Sequence, residues 1–430
     1  MDLYNILLIG SGGREHAMAT HFASSKRCGR LYIAPGNAGT MEVGTNLVLN
    51  VADFQAVKDA ILQYNINLVV VGPEDPLVSG LVDRIHQDSD LADIMVFGPE
   101  AAGARLEGSK AFAKAFMQKY NIPTASYREF SKYEADDAVD YILSHTMPIV
   151  IKADGLAAGK GVIISPNADE AITAVKGIFK GQFGAAGDRI VIESFLSGIE
   201  FSVFVATNGE QYYTLPVAKD YKKILDGDLG PNTGGMGSVS PVPFVDDKMM
   251  RKVNERIILP TLHGLRQEGI PYVGFIFFGL IEVGGEPYVI EYNVRMGDPE
   301  TEVVFPRILG DMVGLMVDLI RGNPIEMPAI DSDFAAGVYI VSEGYPGDYE
   351  RGKVIFVENV PNDCLYFHGG TKVDPQLGVV SNGGRVLFVF AKDKDMSMAR
   401  RKALAGADAV RMEGKFYRRD IGFDIDSTAQ

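Results

Sequence analysis

The stretch from residue 288 to residue 300 places a carboxylate, an amide and a guanidinium at alternate positions. The β-branched and aromatic residues at its start predict a strand. Side chains alternate along a strand, so Glu291, Asn293 and Arg295 are expected on one face, about 7 Å apart. Carboxylate and amide oxygens suit Mg²⁺, which completes its shell with phosphate oxygens and water, and a guanidinium can hold an anion. The alternative is a half-exposed strand whose polar residues face water.

The residues around this stretch predict how it is presented. Gly284 and Gly285 are typical of a hairpin turn, which would pair strand 273–282 with strand 286–295. Pro299 is expected to end the second strand, and Gly297 would let the backbone approach a ligand closely.

A glycine-rich loop with nearby lysines could hold a polyphosphate. Lys152 lies in a predicted strand, 148–153, and the loop 154–161 follows it and leads into another strand. The loop is not a Walker A loop, because Gly161 stands where Ser or Thr is required and no helix follows. Lys110 begins a predicted helix that continues through Tyr120. The alternatives are an ordinary hairpin turn and a solvated helix lysine.

Two further segments predict ligand contacts. The strand beginning at Ile190 could offer backbone groups to a purine ring, with Glu200 accepting hydrogen bonds from ribose hydroxyls, although acidic residues after strands are common. The small residues of 230–237 predict a rigid loop whose backbone N–H groups close around a ligand; the alternative is a flexible surface loop.

The first hundred residues predict a parallel α/β domain. Strand 3–9, a glycine turn and a helix beginning near Glu15 are typical of a Rossmann-like unit with backbone N–H groups ready for an anion. A dinucleotide fingerprint is incomplete, because Glu15 occupies the position of the third glycine. Strands 31–34, 68–71 and 94–97 each end in a Gly/Pro turn, so a ligand crevice is expected at the C-terminal strand ends.

Composition limits the classes of function. The chain has 430 residues, 47% of them hydrophobic, and a net charge of −15, which argues against a nucleic-acid partner. Two distant cysteines, Cys28 and Cys364, predict no disulfide framework or metal pattern. No run of apolar residues reaches transmembrane length and no signal peptide is visible, so a cytoplasmic protein without a membrane partner is expected.

The C-terminal part is predicted to be mainly strands. Residues 302–321 have helical spacing, short strands begin near Ala335, and 397–406 predict a final helix. Structural roles are favoured for His368 and Arg385 over contact with a substrate.

Taken together, these segments resemble the ATP-grasp ligases, and among them the family that joins glycine to 5-phosphoribosylamine. The resemblance covers essentially the whole chain. The motifs that carry it occur in order at 12–17 (Gly-Gly-Arg-Glu-His-Ala), 34–40 (Ala-Pro-Gly-Asn-Ala-Gly-Thr), 106–110 (Leu-Glu-Gly-Ser-Lys), 151–162, 230–237 and 290–302. Met296 and Leu229 depart from the family pattern, which prefers Phe or Leu and Thr at these positions. Both departures concern local packing.

The resemblance implies ATP bound between two small α+β subdomains, with Mg²⁺ or Mn²⁺ held by Glu291 and Asn293. It implies catalytic roles for Arg295, Asp220 and Lys222. The implied nucleotide-binding residues are Lys110, Lys152, Gly155, Gly159, Lys160, Gly161, Glu193, Phe195, Leu196 and Glu200. The implied substrate-binding residues are Gly12, Gly13, Arg14, Asn37, Asn232, Thr233, Gly234, Gly297, Asp298 and Pro299.

The implied architecture is α/β and α+β multidomain. A Rossmann-like substrate domain, 1–103, is expected before an ATP-grasp domain, 104–328, whose lid covers about 123–190, and a small, mostly β domain, 329–430. A monomer is expected. Alternatives are a ligase for a different acid and amine or thiol, a nicotinamide-dependent dehydrogenase, and a non-catalytic nucleotide-binding regulator. Pro35-Gly36-Asn37 argues against the dehydrogenase, which would need an acidic residue there to hold the ribose.

Overall fold

The computed structural model describes residues 2–156, 161–358 and 361–425. Its first part is a five-stranded sheet in the order β3-β2-β1-β4-β5, and every neighbouring pair is parallel, as predicted. Helix α1 begins at Gly13, slightly before the expected position, because Glu15 caps the turn by accepting a hydrogen bond from the Gly12 N–H. The elements are β1 Tyr4–Gly10, α1 Gly13–Ala23, β2 Cys28–Pro35, α2 Thr40–Val43, β3 Thr45–Asn46, α3 Phe54–Gln63, β4 Leu68–Val71, α4 Glu74–Val78, α5 Leu81–Gln87 and β5 Met95–Phe97.

Two helices, α6 (Ala101–Gly108) and α7 (Lys110–Lys119), lead into a second sheet. This sheet has the order β6-β9-β7-β8, and its three strand pairs are antiparallel. It has its own hydrophobic core, in which Phe130, Ile142, Ile151 and Val175 are buried. Its elements are β6 Tyr127–Ser131, α8 Ala135–Leu143, β7 Ile149–Ala153, β8 Val162–Ser165, α9 Ala168–Gly177 and β9 Arg189–Ser194.

A third sheet, in the order β11-β10-β14-β15, carries the stretch around Glu291. A π-helical turn, Asn254–Ile258, joins α10 to α11. The elements are β10 Ile199–Thr207, β11 Tyr212–Thr214, β12 Lys219–Leu225, β13 Leu229–Ser240, α10 Asp247–Val253, α11 Leu259–Gln267, β14 Gly274–Val283 and β15 Glu286–Asn293.

The predicted hairpin of β14 and β15 is confirmed, with Gly284 and Gly285 in the left-handed region at its turn. The expected extension of the second strand to Pro299 is wrong, because β15 ends at Asn293. The next backbone N–H, that of Val294, donates to the side chain of Glu107 and not to a neighbouring strand. Arg295 therefore lies beyond the strand, and alternation along β15 does not fix its direction.

The loop predicted at 230–237 is also wrong. These residues belong to β13, which pairs with β12 on one side and with a C-terminal strand on the other. The glycines allow this close pairing: a Cβ on Gly237 would lie 2.6 Å from the carbonyl oxygen of Gly337.

The last part of the chain completes a mostly β layer, as expected. The sheet has the order β12-β13-β16-β21-β18, with β23 also beside β16, so it includes two strands from the middle of the chain. The elements are α12 Thr301–Val304, α13 Met312–Arg321, β16 Phe334–Ser342, β17 Phe356–Val357, β18 Cys364–His368, β19 Thr371–Asp374, β20 Gly378–Ser381, β21 Arg385–Asp393, α14 Met396–Ala409, β22 Val410–Arg411 and β23 Lys415–Phe416.

The helix predicted over 302–321 is interrupted. A 3₁₀ turn, Phe305–Arg307, follows α12, and Ile308 then forms an isolated bridge with Ile330. Asp311 restarts the helix by accepting a hydrogen bond from the N–H of Gly314. Among the described residues, no helix has the length and apolarity needed to cross a membrane.

Candidate functional site

Two buried lysines share one buried carboxylate at the junction of the second and third sheets. The Nζ of Lys152, on β7, lies 2.8 Å from Glu193 Oε1 and donates to the carbonyl of Ile290 on β15. The Nζ of Lys114, on α7, lies 2.8 Å from Glu193 Oε2. Burial lowers the pKa of Lys114 to about 8, although the charge of Glu193 opposes this shift. Sequence reasoning found Lys152 and Glu193 but missed Lys114.

Lys110 and the start of the glycine loop are held by the same helix. Asp154 accepts hydrogen bonds from the N–H of Ala111 and from Ser109 Oγ, at 2.7 and 3.0 Å. The Nζ of Lys110 donates to the carbonyl of Gly155 at 3.0 Å, so the predicted lysine and loop do meet. The carbonyl of Gly161 accepts a hydrogen bond from Ala153 N. The predicted Gly159 and Lys160 lie outside the described residues.

The positive charges of four residues, Lys222, Lys152, Lys110 and Arg295, act on the carboxylate of Glu291. Burial raises its pKa, but the charges of Lys222, Lys152 and Lys110 outweigh burial and leave the pKa below its ordinary value. Asn293, the other predicted metal ligand, is buried at the end of the same strand. An ionised carboxylate and an amide oxygen fit Mg²⁺, whose other ligands would be phosphate oxygens and water. The positive charges of the nearby lysines would repel a bare divalent cation and attract phosphate groups.

Strand β12 brings the predicted Asp220 and Lys222 to this carboxylate. The Nζ of Lys222 lies 3.9 Å from Asp220 Oδ2 and 3.5 Å from Glu200 Oε2. The negative charge of Asp220 raises the pKa of Lys222 well above its ordinary value, and burial raises the pKa of Asp220. Glu200 is exposed, whereas Phe195 and Leu196 lie just after β9 and are exposed and half-buried.

Glu300 is a buried carboxyl group that sequence reasoning did not assign. Ser202 Oγ donates to it at 3.2 Å, and only 3% of the residue is exposed. Burial and the charge of Asp220 raise its pKa to about 8, so the group is largely protonated at neutral pH.

Arg295 is held between two carboxylates. Its Nη2 lies 2.8 Å from Glu107 Oε1, its Nε donates to Glu74 Oε2 at 3.1 Å, and its Nη1 donates to the carbonyl of Met296. Arg14, paired with Glu15 at 2.5 Å, donates to the same carbonyl from the first domain. Burial raises the pKa of Glu107 to about 6. The two predicted arginines therefore meet, but each already has an anionic partner.

The predicted glycine turn of the first domain packs against the segment after Arg295. A Cβ on Gly13 would overlap Tyr339 Oη and Glu302 Oε1, and one on Gly12 would lie 2.9 Å from Asp298 Oδ2. Tyr339 Oη lies 3.1 Å from Asp298 Oδ1 and 2.9 Å from Glu302 Oε1. Burial and the charge of Asp298 raise the pKa of Glu302 well above its ordinary value. Tyr339 and Glu302 were not predicted.

Arg385 links this turn to β13. It lies 3.1 Å from Asp298 Oδ1 and donates to the carbonyl of Gly234 at 2.6 Å. Gly234 N donates to Tyr345 Oη, and Thr233 Oγ1 donates to the carbonyl of Lys222. The side chain of Arg385 therefore connects two segments of the candidate site, which is consistent with the structural role predicted for it from the sequence.

Three other predicted substrate residues lie in the same neighbourhood. Asn232 is exposed and pairs with Lys223 in the β12–β13 hairpin. A Cβ on Gly297 would overlap the carboxylate of Glu300, and a Cβ on Gly235 would overlap the ring of Pro299. The segment 297–299 therefore packs against both the buried carboxyl group and β13.

The side chain of Asn37 makes hydrogen bonds that connect the first domain to the C-terminal sheet. Its Nδ2 donates to the carbonyls of Ser11 and His368, at 2.9 and 2.6 Å, while its Oδ1 accepts from the N–H groups of Gly39 and Thr40. The amide predicted to contact substrate thus joins the first two loops of the first domain to the C-terminal sheet. His16 Nδ1 accepts from the N–H of His368 at 2.8 Å beside it.

The missed residues carried local signals that were not used. Glu107 lies within the Leu106–Lys110 motif, and Glu74 is the first residue of α4, directly after the turn that follows β4. Lys114 is one helical turn after Lys110. Their partners, however, are distant in sequence: Lys114 pairs with Glu193, and Glu107 pairs with Arg295.

Comparisons with known proteins agree with this arrangement. Family models of phosphoribosylglycinamide synthetase match its N domain at residues 4–107, its ATP-grasp (A) domain at 108–301 and its C domain at 335–424. The phosphoribosylamine–glycine ligase of Halalkalibacterium halodurans is 42% identical over 420 residues, which cover 97% of this chain and 96% of the relative.

Solved structures give the same result. The phosphoribosylamine–glycine ligase of Thermotoga maritima matches with a TM-score of 0.84 and 38% identity, covering 97% of this chain and 99% of the other. Biotin carboxylase from Campylobacter jejuni matches with a TM-score of 0.76 but 13% identity, covering 99% and 97% of the chains, which shows a shared fold alone.

Proposed function

The chain belongs to the phosphoribosylglycinamide synthetase family, and from this we infer that it catalyses the ATP-dependent ligation of glycine to 5-phosphoribosylamine. The products are glycinamide ribonucleotide, ADP and phosphate, in purine biosynthesis. The observation that carries the proposal is the placement of two lysines near Glu291: Lys152 donates to the carbonyl of Ile290 on the same strand, and Lys110 donates to Gly155 in the glycine loop. The charges of both lysines, with that of Lys222, lower the pKa of Glu291.

The chemistry requires an activated acyl donor, because hydroxide is a very poor leaving group from a carboxylate. The carboxylate of glycine attacks the γ-phosphoryl group of ATP, forming glycyl phosphate and releasing ADP. The amine of 5-phosphoribosylamine then attacks the acyl carbon, phosphate leaves, and the nitrogen loses a proton. Such phosphoryl transfer depends on positioning and charge neutralisation.

The lysines and the glycine loop perform the neutralisation. Lys110 and Lys152 bind phosphate oxygens of ATP, with Gly155, Gly159, Lys160 and Gly161 forming the cover over them. Glu193, Phe195 and Leu196 line the adenine site, and Glu200 faces the ribose. Glu291 and Asn293 hold Mg²⁺, or Mn²⁺, which when bound supplies positive charge to the phosphates.

The other two substrates bind next to the segment that follows β15, where Arg14 and Arg295 both donate to the carbonyl of Met296. Arg295 and Lys222, oriented by Asp220, hold the glycine carboxylate and its acyl phosphate. Gly12, Gly13 and Arg14 bind the ribosyl phosphate at the start of α1, where the helix dipole favours an anion. Asn37, Asn232, Thr233, Gly234, Gly297, Asp298 and Pro299 complete the substrate site.

Three properties of the whole protein belong to the same proposal. The domains are 1–103, 104–328 with a lid at about 123–190, and 329–430; the separate core of the second sheet supports the lid. The protein acts as a monomer in the cytoplasm on small-molecule substrates, with no nucleic acid or membrane as partner.

The test is ADP release from the purified protein with ATP and Mg²⁺, adding glycine and freshly generated phosphoribosylamine separately and together. Release that requires both, with a glycinamide ribonucleotide product by mass spectrometry, establishes the reaction. Release with a different acid or amine changes the substrate assignment. Absence of release with any pair, despite nucleotide binding, rejects the enzymatic function.

A further inference from the structure

Glu107 uses both of its carboxylate oxygens on the segment that follows β15. We propose that Glu107 is a positioning residue, which orients Arg295 and fixes the end of the metal-binding strand for the reaction. The proposal rests on the proposed function for its catalytic consequence, but its geometric basis is independent of the substrate.

The first contact of Glu107 is a hydrogen bond to the backbone just after β15, where a neighbouring strand would otherwise provide the acceptor. Oε2 of Glu107 accepts a hydrogen bond from the N–H of Val294 at 2.8 Å. Val294 directly follows Asn293, the last residue of β15, and it is buried. A buried backbone N–H needs an acceptor, and here the acceptor is a side chain from α6. Glu107 therefore fixes the point at which the strand that carries Glu291 and Asn293 ends.

The second contact orients the guanidinium. Oε1 of Glu107 lies 2.8 Å from Arg295 Nη2. Arg295 Nε donates a hydrogen bond to Glu74 Oε2 at 3.1 Å, and its Nη1 donates one to the carbonyl of Met296. A guanidinium has five N–H groups, so one on each terminal nitrogen remains for an anion. Because these three contacts fix the orientation of the planar guanidinium, its two remaining N–H groups point in one direction only.

Glu107 is the more buried of the two carboxylates. Its side chain is 7% exposed, against 28% for Glu74. Since an ionised carboxylate is costly to bury without partners, Glu107 and Arg295 hold each other in one geometry. The more exposed carboxylate of Glu74 can replace its hydrogen bond to Arg295 by one to water, whereas the buried carboxylate of Glu107 has no access to water for such a replacement.

The same short segment also places the phosphate-binding residues. Glu107 is the second-last residue of α6, two positions before Ser109, which caps α7 by accepting a hydrogen bond from the N–H of Phe112. Lys110 begins α7, and its Nζ donates to the carbonyl of Gly155. One rigid junction between two helices therefore sets the distance between Arg295 and the lysine that holds phosphate.

The test compares variants by steady-state kinetics. Glu107→Gln keeps an oxygen for the Val294 N–H but removes the charge that holds Arg295. We expect kcat to fall about 100-fold, the effect of misplacing a reacting group by roughly 1 Å, while the KM for ATP stays within about twofold. Arg295→Lys should lose a similar factor, and the double variant should be no worse than Arg295→Lys, since the two residues act as one unit.

The control is Glu286→Gln. Glu286 begins the same strand and pairs with Lys252 and Arg256 at the far end of the hairpin. It should retain the kcat of the unchanged protein. A Glu107→Gln variant with unchanged kcat, or a double variant whose losses multiply, overturns the proposal.

A second measurement is independent of activity. In protein labelled with ¹⁵N-arginine, the Nε–H signal of Arg295, assigned by its absence in Arg295→Lys, should exchange slowly and should shift or broaden in Glu107→Gln. Glu107→Asp keeps the charge but shortens the side chain, and should give the same change if Glu107→Gln does not fold. An unchanged signal in either folded variant refutes positioning. If the unchanged protein releases no ADP with glycine and phosphoribosylamine, the proposed function fails, and the signal still decides the role of Glu107.

Discussion

Lys152 and Glu193 form a buried ion pair across the neighbouring strands β7 and β9, with 2.8 Å between Nζ and Oε1. The other carboxylate oxygen of Glu193 holds Lys114, and the side chains of this second pair are only 2% and 5% exposed. One buried carboxylate therefore keeps two ammonium groups at fixed positions where the second sheet meets the rest of the molecule.

Replacement of Lys114 should be costly for stability. In Lys114→Met, Glu193 loses one of its two partners in a buried environment, and we expect a loss of roughly 3 kcal/mol in the free energy of unfolding. Urea denaturation measures it. Lys119→Met on the same helix is the control, because Lys119 is exposed and solvent screens its pair with Glu268, so this variant should change the stability little. Equal losses in the two variants would contradict this account.

The metal should bind only together with nucleotide. The lysines around Glu291 repel a divalent cation until phosphate groups neutralise them, so calorimetry should detect Mg²⁺ binding with a non-hydrolysable ATP analogue present and none without it. Chelation should stop ADP formation, and added Mg²⁺ should restore it. Glu291→Ala should not recover, whereas Glu282→Gln, near the turn of the same hairpin, should. Tight Mg²⁺ binding without nucleotide would show that the charge argument is wrong.

Acidification should destabilise the joint between the first domain and the C-terminal sheet. Burial lowers the pKa of His16 to about 3 and that of His368 to about 4. Between about pH 6.5, the ordinary pKa, and pH 4 the unfolded chain takes up protons that the folded chain does not. Stability is therefore fully present above about pH 6.5 and falls with decreasing pH, by up to about 1.4 kcal/mol per pH unit for each residue.

Urea midpoints between pH 7.5 and pH 5 measure this effect. His368→Gln should flatten the dependence on pH, because one of the suppressed protonations is removed while those of His16 and His21 remain. The exposed His263 provides the control, and His263→Gln should keep the slope of the unchanged protein. Identical slopes in all three proteins would show that the acid sensitivity has another source.

Arg418 should stabilise the hairpin that carries Asp220 and Lys222. It is fully buried and donates to Asp228 Oδ1 and the carbonyl of Lys223, at 2.7 and 3.0 Å, while Asp420 accepts from it and from Gly227. Arg418→Met should cost roughly 2 kcal/mol and should speed amide hydrogen exchange in 219–240. Arg419→Met, whose exposed side chain pairs with Asp408, should leave that exchange unchanged. Equal exchange in both variants would mean that the contacts of Arg418 do not hold the hairpin.

Much of the architecture follows from local sequence. Four strands of the first sheet are short apolar runs closed by turns, whereas the two-residue edge strand β3, Thr45–Asn46, is polar and was not predicted. The hairpin of β14 and β15 is set by Gly284 and Gly285. The lysines and acidic residues found by spacing, Lys110, Lys152 and Glu291, share one neighbourhood in the structure. Whether the assigned residues bind substrate and nucleotide stays a prediction.

Two predictions of secondary structure failed because local propensity does not report the pairing of the residues concerned. The glycines of 230–237 predict a loop, but this stretch lies in an irregular hairpin with β12, and residues 237–240 also pair with 335–338, about a hundred positions later. Arg295 was expected to continue a strand, but Glu107, nearly two hundred positions earlier, takes the next N–H. Local propensity does not report such distant partners, so the strand ends and the neutralised charges could not be predicted.

The placement of β12 and β13 in the C-terminal sheet affects how the protein is made. During synthesis, residues 219–240 leave the ribosome well before β16 exists, so β13 begins with one unpaired edge. Asp220 and Lys222 lie on the strand paired to its other side. The completed sheet, and with it the final setting of these two residues, therefore depends on the last third of the chain. A nascent chain that has emerged only as far as residue 330 would therefore carry β13 with an exposed strand edge available to other chains.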